Sequence, residues 1–363
     1  EAFQMQYQTR LSLDLIVREY ASKSLKSLSI NDFLSDSFTD KDISVTQRDA
    51  ILLKHAYQTV DTLLIYNARR IKAFRSLPYI AVLNPNIAEN YNLYLDTMRN
   101  LLSIFTLPHS TDNLFIVSKL EEFNEMHSDT IPTLSKGFQE VTGTFLTETQ
   151  TSEFLDQHLK ERIFMRLISR QHTQIFQPPT DNYLGVIDLQ LEPAKLVRRC
   201  SEYVNDMCEL KYDDKCSLVI DSGEDVVFPY IPTHIEYVLT EVLKNSSRAL
   251  IEGGVAKPIR VTIVPSYAED NHQTLEIRVR DEGSGIPPET VAKMFDFSFS
   301  TYQSGEGEAY KTLNAPPGVA GNIVAGMGYG LPLSRAYVEM FGGKMSVQTY
   351  FGMGTDVYIR LNG

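Results

Sequence analysis

The chain has 363 residues, enough for two domains at roughly 100–200 residues each. Its 43% apolar and 22% charged content fits folded cores rather than disorder. Acidic residues outnumber basic ones, 46 to 34, and the resulting net charge of −12 argues against a general nucleic-acid binder.

Up to about residue 177 the chain is written in helical periods. Apolar residues recur at spacings of three and four over Leu11–Tyr20, Ala50–Phe74, Ile87–Phe105 and Asn113–His127. The same spacing puts Phe154, Leu155, Leu159, Ile163, Leu167 and Ile168 on one stripe, with Asp156, Lys160, Glu161 and Arg170 between them. Asn84-Pro85 and Leu107-Pro108 break the helices. This half, residues 1–177, is predicted to be an antiparallel bundle of the four-helix type, with the stripes as its core.

Gln177-Pro178-Pro179-Thr180-Asp181-Asn182 reads as a linker, because two prolines forbid a continuing helix. Beyond it, in residues 178–363, the period changes to two. Ile259–Val264 and Leu275–Arg280 alternate as strands do, and Met345–Tyr350 and Asp356–Leu361 form a second such pair around a glycine-rich turn. Helices are predicted over Thr233–Glu252, Pro288–Met294 and Leu331–Phe341, so the second half is an α/β sandwich on a mixed sheet and the whole an α+β chain of two domains. No run of about 18 uncharged apolar residues occurs, so no spanning helix is predicted. Cys200, Cys208 and Cys216 suit neither a disulfide framework nor a zinc signature and are expected to be semi-buried thiols in a reducing compartment. The chain opens on Glu1 rather than Met, as expected where processing or cloning has removed the native start, so a targeting peptide would be out of sight here and its absence proves nothing.

Three segments of the second half gain meaning together. On the helix around Glu241-Val-Leu-Lys244-Asn245-Ser-Ser-Arg248, Glu241 and Asn245 share a face, as do Lys244 and Arg248. Asparagine is a poor former of mid-helix turns, and its carbonyl oxygen suits Mg²⁺, although a solvated charged face would read the same. Asn245-Ser246-Ser247 also matches a glycosylation sequon, which a helix makes a false positive. Next, Asp281-Glu-Gly283-Ser-Gly285-Ile-Pro287 directly follows a strand. Its carboxylate can accept from an exocyclic amine such as adenine's, and its glycines permit a close ligand approach, or simply a tight turn. Finally, Gly326-Met327-Gly328-Tyr329-Gly330-Leu331-Pro332 runs into a helix whose first N–H groups offer a seat for phosphate. Gly305–Thr312 imitates a P-loop but has Tyr310 where the second glycine belongs.

In this order, with Gly354-Thr355-Asp356 last, the segments resemble the N, G1, G2 and G3 boxes of the GHKL (Bergerat) ATP-binding fold shared by histidine kinases, type II topoisomerases, mismatch-repair ATPases and the heat-shock chaperone. Phe295–Thr301 looks like the F box, and residues 302–325 would be the ATP lid. His172 in Arg170-Gln171-His172-Thr173 lacks the following acid of a histidine-kinase phosphoacceptor. Its helix instead resembles that of the mitochondrial 2-oxo acid dehydrogenase kinases, as do His127-Ser-Asp129-Thr-Ile-Pro132-Thr-Leu-Ser-Lys-Gly137, Leu77-Pro78-Tyr79, Phe154-Leu155-Asp156 and Gly185-Val186-Ile187-Asp188. His158-Leu-Lys-Glu-Arg-Ile163 and Tyr203-Val-Asn-Asp-Met-Cys208 are similar to phrases of the yeast-type pyruvate dehydrogenase kinases. The resemblance covers nearly the whole chain.

What the resemblance implies is an ATP- and Mg²⁺-dependent serine kinase that inactivates the α subunit of the pyruvate dehydrogenase complex. It would be a homodimer in the mitochondrial matrix, bound to the lipoyl domain of the acyltransferase core. By that resemblance Glu241 is the general base and Asn245 the Mg²⁺ ligand. Lys244 and Arg248 lie beside ATP, Asp281 with Gly283 and Gly285 takes adenine, and Thr355 touches adenine indirectly. Gly326, Met327, Gly328, Tyr329, Gly330 and Leu331 cradle phosphates, and Ser300 and Thr301 flank the lid. His127 and Arg166 match a pocket for inhibitory 2-oxo acids; a structural pair inside the bundle is the alternative. Tyr237 stands where animal relatives have a histidine that tunes the base, and no tryptophan occurs, so the tryptophan-containing tail motif of some animal members is missing. Two other functions stay open, the same chemistry on the branched-chain 2-oxo acid dehydrogenase and an ATP-binding regulatory subunit without transfer activity of its own.

Overall fold

The computed structural model describes residues 2–26, 28–34, 44–106, 112–128, 130–177, 182–267, 273–297 and 329–363. The chain forms two compact units, one of residues 1–27 and 36–179, the other of residues 28–35 and 180–363. The first half runs through α1 (Ala2–Ser22), α2 (Ile30–Phe33), α3 (Val45–Ser76), α4 (Tyr79–Val82), α5 (Pro85–Thr106), α6 (Asn113–Met126), α7 (Thr130–Val141) and α8 (Glu148–Phe176).

All of these helices except α2 belong to the first unit. There α3 packs on α1, α5 and α8, while α6 packs on α5 and α8, and α7 on α5. Capping boxes start two of the long helices, Ser44 with Gln47 on α3 and Thr147 with Gln150 on α8, each satisfying two otherwise orphaned amides. The whole predicted stripe of α8 is buried. Phe74 anchors the core, its ring 5.2 Å from Phe154 and 5.8 Å from Tyr94. Between α3 and α8, His55 and His172 meet with their Nδ1 atoms 2.8 Å apart. Ring centroids 5.1 Å apart at 19° set the imidazoles edge to edge and nearly coplanar, so one donates to the other.

The second unit contains α2 and everything from residue 180 onward. A short hairpin of β1 (Tyr183–Leu184) and β2 (Ile187–Asp188) leads into α9 (Pro193–Tyr212), β3 (Leu218–Ser222), α10 (Pro232–Glu252), β4 (Ile259–Tyr267), β5 (Gln273–Asp281), α11 (Pro288–Val291), α12 (Gly330–Glu339), β6 (Lys344–Tyr350) and β7 (Gly354–Asn362). The five-stranded sheet has the order β3-β4-β5-β7-β6, with β3 parallel to β4 and every other pair antiparallel. The predicted mixed sheet is therefore present.

Alternate residues Val261, Ile263, Ile277, Val279, Val357 and Ile359 are buried; α10 and α12 pack against the strands that carry them, and α9 packs on α10 and β3. The intervening positions carry charge in register, Glu276 opposite Arg360 and Arg280 opposite Asp356. Although α2 is only one turn long, it is closed by its own capping box between Ser29 and Asp32. Its Ile30 and Phe33 are buried, and Phe33 stands edge-on to Phe341 at 5.8 Å. The helix predicted over Pro288–Met294 is shorter, ending at Val291. All three cysteines are free and buried.

Candidate functional site

Helix α10 is the spine of the site. Pro232 sets its first turn, and buried Ile235, Val238, Leu239, Val242, Leu243 and Leu250 fix its inner face. Glu241 is only 7% exposed. Lys244 Nζ donates to its Oε1 at 2.5 Å from one turn further on. The other carboxylate oxygen lies against the start of α12, so close to Gly330 that a side chain there would overlap it. An anion at the first turn of a helix meets unpaired amides and the positive end of the dipole, which keeps the carboxylate at that end. Asn245, next on the Glu241 face, is exposed. Arg248 donates through Nε to Glu252 at 3.0 and 3.1 Å.

Asp281 ends β5 and is opposite Thr355 on β7. Its carboxylate is buried and held on both oxygens, Oδ1 accepting from the Gly283 amide at 3.1 Å and Oδ2 from the Ser246 hydroxyl at 2.9 Å. Burial pushes its pKa up, and these donors oppose that shift. The two glycines of this loop act differently from one another. Gly285 has φ +68°, a left-handed conformation, whereas Gly283 is needed for contact, since a Cβ would lie 2.8 Å from that of Ala249 on α10. Thr349 Oγ1 accepts from the Ile286 amide at 2.9 Å and lies 3.1 Å from Thr355 Oγ1. Strand β6 thereby ties this loop to β7.

Glu241, Lys244, Asn245, Arg248, Asp281, Gly283, Gly285, Gly330, Leu331 and Thr355 all fall on α10, on the start of α12, or on the adjoining ends of β5 and β7 and the loop after β5. Tyr329 is buried, its ring 5.6 Å from Phe297. Ser300, Thr301, Gly326, Met327, Gly328, the lid over 302–325 and the P-loop imitation lie outside the described residues. Tyr237, one turn before Glu241, is half-buried, its hydroxyl oxygen buried and its ring 5.2 Å from Tyr337. Burial and the Glu241 charge hold its phenol well above the ordinary value, so it stays neutral. Sequence reasoning missed Ser246 and Thr349. Ser246 had a signal, because it sits four residues after Val242 and seven after Leu239, in the apolar stripe of α10.

In the first unit, His127 is buried with Nε2 2.7 Å from Thr97 Oγ1. Its pKa is lowered to about 3 by burial and by the cations of Arg162 and Arg166. The imidazole is neutral, and the positive charge of this region comes from the arginines. Arg162, which the sequence did not single out, organises the corner between α6 and α7. It donates to the carbonyls of His127 at 2.6 Å and Ser128 at 3.2 Å and to Thr130 Oγ1 at 3.1 Å.

Along α10 a ligand for the second unit would meet the buried Asp281 carboxylate held by Ser246, the Lys244 and Arg248 side chains on either side of it, and the N-terminus of α12 beside Glu241. That pattern suits a nucleotide. A hard cation there would take Asn245, and no cluster of three or more acidic, histidine or cysteine side chains among the described residues could hold one alone. Most of its ligands would therefore come from phosphate and water, as Mg²⁺ prefers.

Comparison with known proteins agrees. Residues 27–188 match the family model described as mitochondrial branched-chain alpha-ketoacid dehydrogenase kinase. Residues 230–362 match that of the histidine kinase-, DNA gyrase B- and HSP90-like ATPases. The mitochondrial pyruvate dehydrogenase (acetyl-transferring) kinase 1 of Saccharomyces cerevisiae is 35% identical over 372 residues, covering 100% of this chain and 90% of that protein. The corresponding kinase of Arabidopsis thaliana is 28% identical over 81% of each chain. Isozyme 1 of Rattus norvegicus is 26% identical over 80% of this chain and 69% of its own. With helical region, ATPase domain and end-to-end similarity in agreement, the chain belongs to the mitochondrial 2-oxo acid dehydrogenase kinase family, on the pyruvate dehydrogenase kinase side of it.

Proposed function

We propose that this protein is an ATP-dependent serine kinase of the mitochondrion that phosphorylates and so inactivates the α subunit of the pyruvate dehydrogenase complex. The observation that carries the reading is the double anchoring on α10, where Glu241 meets the start of α12 and Ser246 holds the Asp281 carboxylate. ATP supplies the phosphoryl group, and bound Mg²⁺ would neutralise charge on its phosphates with Asn245 as the protein ligand. Glu241 orients the attacking serine hydroxyl and accepts its proton, a step in which positioning dominates. Lys244 balances that carboxylate before substrate arrives. Arg248 lies beside the nucleotide, the segment Gly326 to Leu331 would cradle the phosphates, Asp281 takes the adenine amine, Gly283 and Gly285 let the base approach, and Thr355 contacts it indirectly. Ser300 and Thr301 would flank the lid.

Around this centre we place a matrix-located homodimer docked on the lipoyl domain of the acyltransferase core, and we read α3, α5, α6 and α8 as the four-helix bundle. His127 and Arg166, with Arg162 beside them, form the pocket for inhibitory 2-oxo acids, the guanidinium groups supplying the charge that a carboxylate needs. The deciding experiment transfers labelled γ-phosphate from ATP to pyruvate and branched-chain dehydrogenase α subunits side by side, with Glu241→Gln as control. Label on the pyruvate subunit alone, lost in the variant, is expected. Label on the branched-chain subunit alone would move the substrate. No label on either, with ATP bound and the acyltransferase core present, would make the chain a regulatory subunit.

A further inference from the structure

We propose that Ser246 is a positioning residue for nucleotide-base selection, setting the Asp281 carboxylate so that it accepts from an exocyclic amine. The inference rests on the reading of Asp281 as the adenine acceptor and extends it to a residue with no role so far. Serine is a weak helix former, and a mid-helix serine usually turns its hydroxyl to the carbonyl four residues back or to solvent. Ser246 does neither of these. It is 3% exposed, and its Oγ lies 2.9 Å from Asp281 Oδ2, 35 residues away in the chain.

An ionised carboxylate only accepts, so the hydroxyl hydrogen must point to Asp281. With the Gly283 amide on Oδ1 and the Thr355 backbone as a further donor, both oxygens are held and the carboxylate's direction is set. Nor can the loop withdraw, since Gly283 is packed against Ala249 on the same helix, one turn beyond Ser246. Each oxygen keeps further acceptor capacity with its direction fixed. A base presenting an amine donates to it, whereas a base presenting a carbonyl, or bare carbon, at that edge meets an anion it cannot satisfy. Specificity built this way comes from leaving the wrong partner's polar group unpaired.

The test measures binding of Mg·ADP, Mg·GDP and the diphosphate of purine riboside, which lacks the amine, to the full chain and to Ser246→Ala. Alanine is the better helix former, so the variant keeps α10. The expected result is about a tenfold loss of affinity for ADP, the size of a hydrogen bond to a charged group, with a much smaller loss for the amine-free analogue. Unchanged ADP affinity, or equal losses for ADP and analogue, would overturn the proposal, the second by making Ser246 merely structural. Asp281→Asn is run alongside. If it binds ADP as the parent chain does, the adenine reading itself falls, whereas loss of ADP binding there together with an indifferent Ser246→Ala removes only the positioning role.

Discussion

Gly330 illustrates how much one missing side chain does. A Cβ there would overlap the inner oxygen of Glu241, while alanine at the first position of α12 favours the helix. Gly330→Ala is therefore expected to lower phosphoryl transfer at least tenfold while leaving the melting temperature equal or higher, a separation that paired activity and calorimetry measurements would reveal. The buried histidines set a pH limit. Burial lowers His55 to about 4 and His127 and His172 to about 3, so all are neutral when folded. Unfolded, each takes a proton near pH 6.5, so stability is complete above that pH and is lost as the pH falls toward 3, at up to about 1.4 kcal/mol per pH unit for each group. Urea titrations at pH 7.5 and 5.5 should place the acid midpoint clearly lower, and His55→Phe with His172→Leu should narrow the gap. Single residues were the hardest features to anticipate. Glu241, Asp281 and Gly330 stood in motifs, but that Gly330 lies against Glu241, that the Ser246 hydroxyl holds Asp281, and that Arg162 fills the corner of α6 and α7 are products of the fold.

Among the elements, those with strong periodicity were legible in the sequence. The α8 stripe, the β4–β5 pair and the β6–β7 pair all stand where alternation or helical spacing placed them. Helix α9 escaped because its buried face uses Cys200 and Cys208, small thiols that break the usual aliphatic signal. Strand β3 escaped because it is a five-residue edge strand whose side chains are half-buried or exposed, leaving no apolar face to read. Helix α2 was invisible for another reason, since one turn has no period and its packing partner lies in a distant part of the sequence. Its weight can be measured. Phe33→Ala removes a buried ring and is expected to cost about 3 kcal/mol, felt in the second unit. Hydrogen exchange should show faster opening of α12 next to Phe341 and little change in α5 or α8.

For the whole molecule, the decisive feature is that the boundary between units is not a single point in the sequence. Residues 28–35 belong with the second unit although the segments on both sides of them belong with the first. A fragment of residues 180–363 should therefore melt below the same fragment carrying residues 28–35 on a flexible linker, with Phe33→Ala in the linked version erasing the difference. The excursion also has a consequence in time. Phe33 is made about 300 residues before Phe341, and at roughly 5–20 residues per second the ribosome needs some 15 to 60 seconds to span that gap. Until Phe341 is made, Phe33 lacks the ring it stands against in the folded chain. The contact that fastens residues 28–35 to the second unit is thus one of the last the growing chain can make.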